Sequence, residues 1–147
     1  MSVERVLSVA RERLVTISDD ALLTNAARLL DGRDINLVVA CDSGGAMVGV
    51  VTKTDIVRQM GRCQGSGCTA AVATVMTRNV TYCRPGDMLH DVWTIMKERR
   101  LRHVPIVGED SKPLGVINAR DALLALLEGS EYEESLLRDY VMGIGYR

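Results

Sequence analysis

Gly49-Val50-Val51-Thr52-Lys53-Thr54-Asp55 returns as Gly115-Val116-Ile117-Asn118-Ala119-Arg120-Asp121, at an offset of 66 residues. Each copy is an apolar run, then Thr or Asn, two spacers and an Asp, followed by an apolar helical pattern. This order places a hydroxyl or amide, and a carboxylate, where a strand hands over to a helix. A helix start carries unpaired N–H groups and a partial positive charge, which suits phosphate. An Asp beside it accepts hydrogen bonds from a ribose diol. Two such ends predict two related nucleotide-sized sites. Read without the repeat, Thr52 and Asn118 are plain helix caps, and Asp55 and Asp121 are first-turn acids favoured by the helix dipole.

The offset extends outward from this motif. Ile35-Asn36-Leu37-Val38-Val39 matches Leu101-Arg102-His103-Val104-Pro105, and Leu29-Leu30 matches Ile95-Met96. Val15-Thr16-Ile17 matches Val80-Thr81-Tyr82 with one gap. A long period present only twice indicates a duplicated half, since a solenoid needs at least about three shorter units.

Each half reads as β-α-β-β-α. In the first, residues 14–17 form a short strand, Ser18 or Asp19 caps a helix, and Leu22, Leu23, Ala26, Ala27, Leu29 and Leu30 form its apolar stripe. Gly32 marks its stop. Val-rich runs at 35–40 and 46–52 flank Asp42-Ser43-Gly44-Gly45, a hairpin turn. In the second half, Pro85-Gly86-Asp87 opens a helix carrying Leu89, Val92, Trp93, Ile95 and Met96, with Trp93 on its apolar side. Strands at about 102–107 and 113–118 flank a turn at 108–111, and Leu123, Leu124, Leu126 and Leu127 mark the closing helix. Residues 72–76 begin the second half with a short turn or helix. A helix from Val3 to about Ala10 leads into the first half, and the Gly-rich stretch 61–68 is a flexible linker. The division is residues 1–65, 66–130 and a helical tail, 131–147, whose Leu136, Leu137, Tyr140 and Val141 need a surface to cover.

The chain of 147 residues is 47% hydrophobic and 25% charged, which fits a folded globular protein. Phe is absent and aromatics are 3%, so the core is aliphatic and base-stacking platforms for single-stranded nucleic acid are disfavoured. Net charge is −1, without the overall basic field that duplex binding rests on. Lys97, Arg99, Arg100 and Arg102 are either the solvated end of a helix or a local basic patch. No apolar run reaches transmembrane length and no secretory pattern is present, so a cytoplasmic protein with reduced thiols is expected.

With these residues in register, the chain resembles a tandem pair of CBS (cystathionine β-synthase) domains, or Bateman module. Val75-Met76-Thr77, Val80-Thr81, Leu101-Arg102-His103-Val104-Pro105-Ile106-Val107 and Gly115-Val116-Ile117 carry the closer half of that resemblance. It implies an α+β fold of two pseudo-symmetric βαββα units packed sheet to sheet, with N-terminal and C-terminal helices. It also implies a regulatory module that binds an adenosine-containing ligand. The main site would take Thr52, Thr54 and Asp55 for phosphate and ribose, Arg102 and His103 for phosphates, and Thr81, Tyr82 and Val104 for the base. A second, poorer site would take Thr16, Asn36, Leu37, Asn118, Arg120 and Asp121, with Asn118 where the family has Thr or Ser.

Arg102 and His103 favour a phosphorylated ligand: AMP, ADP or ATP ahead of S-adenosylmethionine or a dinucleotide. No required cofactor is expected. A homodimer is expected, on apolar helix faces at Leu22, Ala26 and Leu29 and at Leu89, Val92 and Met96, together with a downstream protein partner; a ligand-free dimerisation scaffold is the alternative. Cys63 and Cys68 have a spacing seen among zinc ligands, but His90 offers no matching second ligand and a closed site needs four, so no metal is expected. No Ser-His-Asp or Cys-His grouping, paired-His motif or P-loop Lys is present, so no catalytic residue is assigned and the chain is read as a non-enzyme.

Overall fold

The structure is a computed structural model; it describes residues 1–32, 35–62, 69–129 and 133–142, with the side chains of 133–136 excepted. The Cys63/Cys68 pair and the body of the 61–68 linker lie outside the described residues, as does the Leu136 side chain. Two compact units divide the chain. The first comprises Leu14–Val80 with Glu109–Pro113; the second comprises Met1–Arg13, Thr81–Gly108 and the chain from Leu114 onward.

In the first unit, β1 (Thr16–Ser18), β2 (Leu37–Cys41) and β3 (Met47–Thr52) form one sheet in that order. β1 runs parallel to β2, with Ile17 opposite Ala40, and β2 runs antiparallel to β3, with Val39 opposite Val50. The hairpin between β2 and β3 is tightened by Asp42, whose Oδ1 accepts the Gly44 and Ala46 N–H groups, and Gly45 takes φ 87, which glycine adopts without strain. The helices α2 (Leu23–Leu30), α3 (Lys53–Met60) and α4 (Val72–Val75) complete the unit, and Leu23, Ala26, Leu30, Val38, Ala40, Val51, Val72 and Met76 form its core.

In the second unit, β4 (His103–Val107) and β5 (Pro113–Asn118) pair as a two-stranded sheet. The counterpart of β1 is a single parallel bridge between Cys83 and Ile106, which are Ile17 and Ala40 moved by the repeat offset, so Ile17 corresponds to Cys83 and not, through a gap, to Tyr82. A 3-10 turn (Val3–Val6), α1 (Leu7–Glu12), α5 (Leu89–Arg99), α6 (Ala119–Gly129) and α7 (Glu133–Val141) are its helices. Trp93, fully buried, packs in a core with Val3, Val6, Leu89, Met96, Ile106 and Leu123.

The N-terminal segment therefore packs with the second half, although sequence order groups it with the first. Residues 70–77 do the converse and pack with the first. The two exchanges follow one plan. The Leu23 N–H donates to Ala70 O, the Val72 N–H to Ala21 O, and Leu22 bridges Ala71. Likewise the Leu89 N–H donates to Met1 O, the Val3 N–H to Asp87 O, and Met88 bridges Ser2. In each case the lead-in strip satisfies N–H groups at a helix start that would otherwise be orphaned.

This overturns several sequence expectations. Ser18 and Asp19 do not cap α2: its N-cap is Leu22, without a side-chain bond, and the Ser18 hydroxyl donates to Asp20 instead. Pro85-Gly86-Asp87 makes a turn ahead of α5, closed by the Arg84 N–H on the Asp87 carboxylate (2.8 Å). The turn after β4 contains a 3-10 stretch, Glu109–Ser111. The apolar helix faces assigned to a dimer are largely interior: Ala26, Leu89, Val92 and Met96 are buried, and only Leu22 of that set is exposed.

Candidate functional site

Both copies of the opening motif stand at strand-to-helix junctions, and each is crossed by a lead-in segment. Gly49 and Gly115 make room for the crossing. A Cβ on Gly49 would lie 2.7 Å from Met76 Sδ and 2.9 Å from Thr77 O; on Gly115 it would lie 2.8–2.9 Å from the Ala10 backbone and Cβ. Met76 and Ala10 are themselves related by the repeat offset. Beyond each crossing, the next residues of the lead-in reach the motif's carboxylate.

In the first unit the carboxylate is Asp55, and it is buried. Thr52 caps α3: its hydroxyl oxygen accepts the Asp55 N–H (3.3 Å) while Asp55 Oδ2 accepts the Thr52 N–H (3.0 Å), a reciprocal capping box. The Thr77 hydroxyl lies 3.4 Å from both Asp55 oxygens, and Arg58 Nη1 lies 3.6 Å from Oδ1. Thr54 and Asn36 are exposed and Leu37 is buried in β2. Thr16 lies exposed on β1.

In the second unit the carboxylate is Asp121, and its surroundings are basic. Arg13, at the end of the N-terminal lead-in, grips it through both oxygens, with Nε 2.6 Å from Oδ2 and Nη2 3.3 Å from Oδ1. The Ala119 N–H donates to Arg102 O (2.8 Å), which fixes the approach to β4 against the start of α6. Arg120 adjoins Asp121 in that first turn and is exposed; its N–H donates to Asn118 Oδ1 (2.8 Å). Burial, and then the Arg13 and Arg102 guanidiniums, hold the His103 imidazole below its ordinary value against the opposing pull of Asp121. The structure thus gathers Arg102, His103, Asn118, Arg120 and Asp121 around one helix start. Sequence reasoning missed Arg13, because its partner stands 108 residues away.

Val104 faces elsewhere. Successive strand residues point to opposite faces, and Val104 joins Val92 and Ile106 in the core while His103 lies near Asp121. Val104, Thr81 and Tyr82 line a cavity of about 260 Å³ against α5, with Asp87, Asp91, Met88 and Ile95 among its walls. The Arg84 guanidinium stands 5.9 Å from the Tyr82 ring centre. The Cys83 thiol at the cavity wall is pushed up to about 12, first by burial and then by Asp87, so it stays protonated and unreactive at neutral pH. Burial likewise raises Cys41, with Asp42 and Asp19 adding to it. Among the described residues, no group of three or more His, Cys, Asp or Glu side chains is placed to hold a metal ion, and no helix is long and apolar enough to cross a membrane.

Comparison with known proteins agrees with the duplicated architecture. The CBS domain family matches the chain twice, over residues 4–62 and 72–128. An inosine-5'-monophosphate dehydrogenase from Nitrosopumilus maritimus is 28% identical over 121 residues, which are 82% of this chain; the chain spans only 24% of that enzyme's length. The crystal structure of a CBS-domain-containing protein from Agrobacterium tumefaciens is 28% identical and superposes with a TM-score of 0.71, covering 85% of this chain and 98% of that one. A CBS domain pair solved with methylthioadenosine and S-adenosyl-L-methionine shares the fold at 23% identity, with a TM-score of 0.70 over 88% of this chain and 96% of its own. Matched by the family over both repeats and by these structures over most of its length, the chain belongs to the CBS domain family, as a tandem pair.

Proposed function

We propose that this CBS pair is a regulatory module that binds an adenosine-containing ligand, an adenine nucleotide (AMP, ADP or ATP) foremost, and signals to a partner protein without catalysing a reaction. The observation that carries this reading is the basic surround of Asp121. Arg13 forks onto the motif carboxylate, and Arg13, Arg102 and Asp121 all act electrostatically on the His103 imidazole beside it. A ribose diol donates to a carboxylate and phosphate oxygens accept from guanidinium forks, so the cluster suits both ends of a nucleotide. Asp55, which the sequence places at the main site, is ranked second here: its oxygens are taken by the Thr52 N–H and the Thr77 hydroxyl, whereas those of Asp121 are held by a side chain that can itself turn to a phosphate. The ligands named for the solved CBS pair, methylthioadenosine and S-adenosyl-L-methionine, support an adenosine class and keep the sulfonium ligand as a second reading.

The test is thermal melting and calorimetric titration with AMP, ATP, adenosine and S-adenosylmethionine. A true ligand at a hundredfold excess over its Kd stabilises the fold by about 2.7 kcal/mol. A saturable shift with AMP or ATP supports the reading, a shift with S-adenosylmethionine alone favours the second, and no shift with any leaves a scaffold. Asp121→Ala is expected to weaken the nucleotide more than Asp55→Ala. Self-association into a homodimer belongs to the same proposal and is read by light scattering.

A further inference from the structure

We propose that Arg13, from the N-terminal lead-in, is the residue that selects a phosphorylated ligand, by exchanging its hold on Asp121 for the ligand's phosphate when a ribose takes the carboxylate. The inference rests on the nucleotide reading above and adds to it a residue outside the repeated motif. Four observations carry it. Arg13 and Asp121 form a forked pair, so ligand hydroxyls and the guanidinium compete for the same two oxygens. Both side chains keep access to solvent, 31% and 20% exposed, so ligand oxygens and hydroxyls can reach both partners. The Arg13 backbone is fixed independently of that pair, since its N–H donates to Ala10 O and Ala10 is wedged against Gly115. The side chain can therefore let go of Asp121 without the lead-in leaving the unit. Finally, a second cation shares this neighbourhood, since Arg102 acts on the same His103 imidazole as Arg13 and Asp121.

The consequences differ by ligand. A nucleoside that displaces the guanidinium leaves the Arg13 charge without its partner and gains nothing in return. A nucleotide offers that charge a phosphate, in a charge-assisted forked contact. A ligand with a cationic centre meets repulsion. In the other unit the lead-in brings the neutral Thr77 to Asp55, so this selection is particular to the Asp121 copy.

The experiment is calorimetric titration of AMP and adenosine into the full chain and into Arg13→Ala and Arg13→Gln, with circular dichroism to establish folding. The parent is expected to prefer AMP. Removing the guanidinium is expected to lower the AMP-to-adenosine affinity ratio about tenfold, with adenosine binding unchanged or tighter because Asp121 is freed. Arg13→Gln, which keeps the stem's packing, is expected to show the same fall and carries the test if the alanine variant does not fold. An unchanged ratio with both ligands bound overturns the role of Arg13 and leaves the nucleotide reading standing. A parent that binds neither compound overturns the nucleotide reading, and this inference with it.

Discussion

Gly115 shows how much a single atom decides. Its missing Cβ would meet the Ala10 carbonyl carbon at 2.8 Å and its oxygen at 2.9 Å, and backbone of a packed segment cannot step aside. At Gly49 part of the obstruction is the flexible end of Met76, though Thr77 O at 2.9 Å remains. Gly115→Ala is therefore expected to cost about 1–3 kcal/mol, with Gly49→Ala nearer the lower end. Gly129→Ala, where a Cβ meets only Met1 Cε, should be neutral or gain from helix propensity. Urea unfolding of the three variants checks the order, and equal costs would refute the crossing as the reason for the motif glycines. His103 gives a residue-scale prediction in pH. Its folded value lies below the ordinary 6.5, so the unfolded chain binds the extra proton first. The associated stability is present above the ordinary value and is lost as pH falls through the lowered folded value. His103→Gln should flatten the part of the stability profile that falls as pH drops through and below the ordinary 6.5; a profile that keeps its full slope would assign it to other groups.

At the scale of elements, α7 is tied to α5 by one buried acid. Asp139 Oδ2 accepts the Trp93 indole N–H at 3.1 Å and stands 3.0 Å from Lys97 Nζ, whose ammonium also lies 6.0 Å from the Trp93 ring centre. Hydrogen bonds to a charged group contribute roughly 1.5–3 kcal/mol, so Asp139→Ala should cost that much, shift Trp93 emission to the red and make the tail more open to protease. An unchanged Trp93 spectrum would show that α7 is held by other means. The elements themselves were legible in the sequence: the Val-rich runs separated by Asp42-Ser43-Gly44-Gly45 form their hairpin, and the apolar spacing from Leu89 to Met96 forms its helix. Helix starts were less legible, because the N-caps are the apolar Leu22 and Met88 rather than Ser18 or Asp19 and the Pro85-Gly86-Asp87 turn, and main-chain carbonyls of the lead-ins serve instead. The candidate site was half legible for the same reason. Asp55 and Asp121 announce themselves through the repeat, but the residue that reaches each, Thr77 or Arg13, is delivered by a segment whose destination no local pattern encodes.

For the whole molecule, the exchanged lead-ins separate the sequence repeat from the folding unit. Val72 and Met76 are core residues of the first unit, and Val3, Val6 and Ala10 are core residues of the second. A fragment cut at the sequence division, residues 1–65, lacks Val72 and Met76 and carries Val3, Val6 and Ala10 with nothing of their own core to bury them. A fragment of residues 14–80 holds every residue of the first unit's core cluster. Both are near 65 residues, a length at which a domain is marginal and the loss of two buried side chains decides the outcome. Removing a buried aliphatic or Met side chain costs about 2–5 kcal/mol where the core cannot collapse. The 14–80 fragment is thus expected to give a cooperative melt and slow amide exchange in β2 and β3, and the 1–65 fragment to give neither. Adding a peptide of residues 69–80 to the 1–65 fragment should restore part of the protection, since that strip supplies both the missing side chains and the carbonyls that receive the Leu23 and Val50 N–H groups. A 1–65 fragment as well protected as 14–80 would mean that the lead-in only rests on the first unit's core and does not complete it.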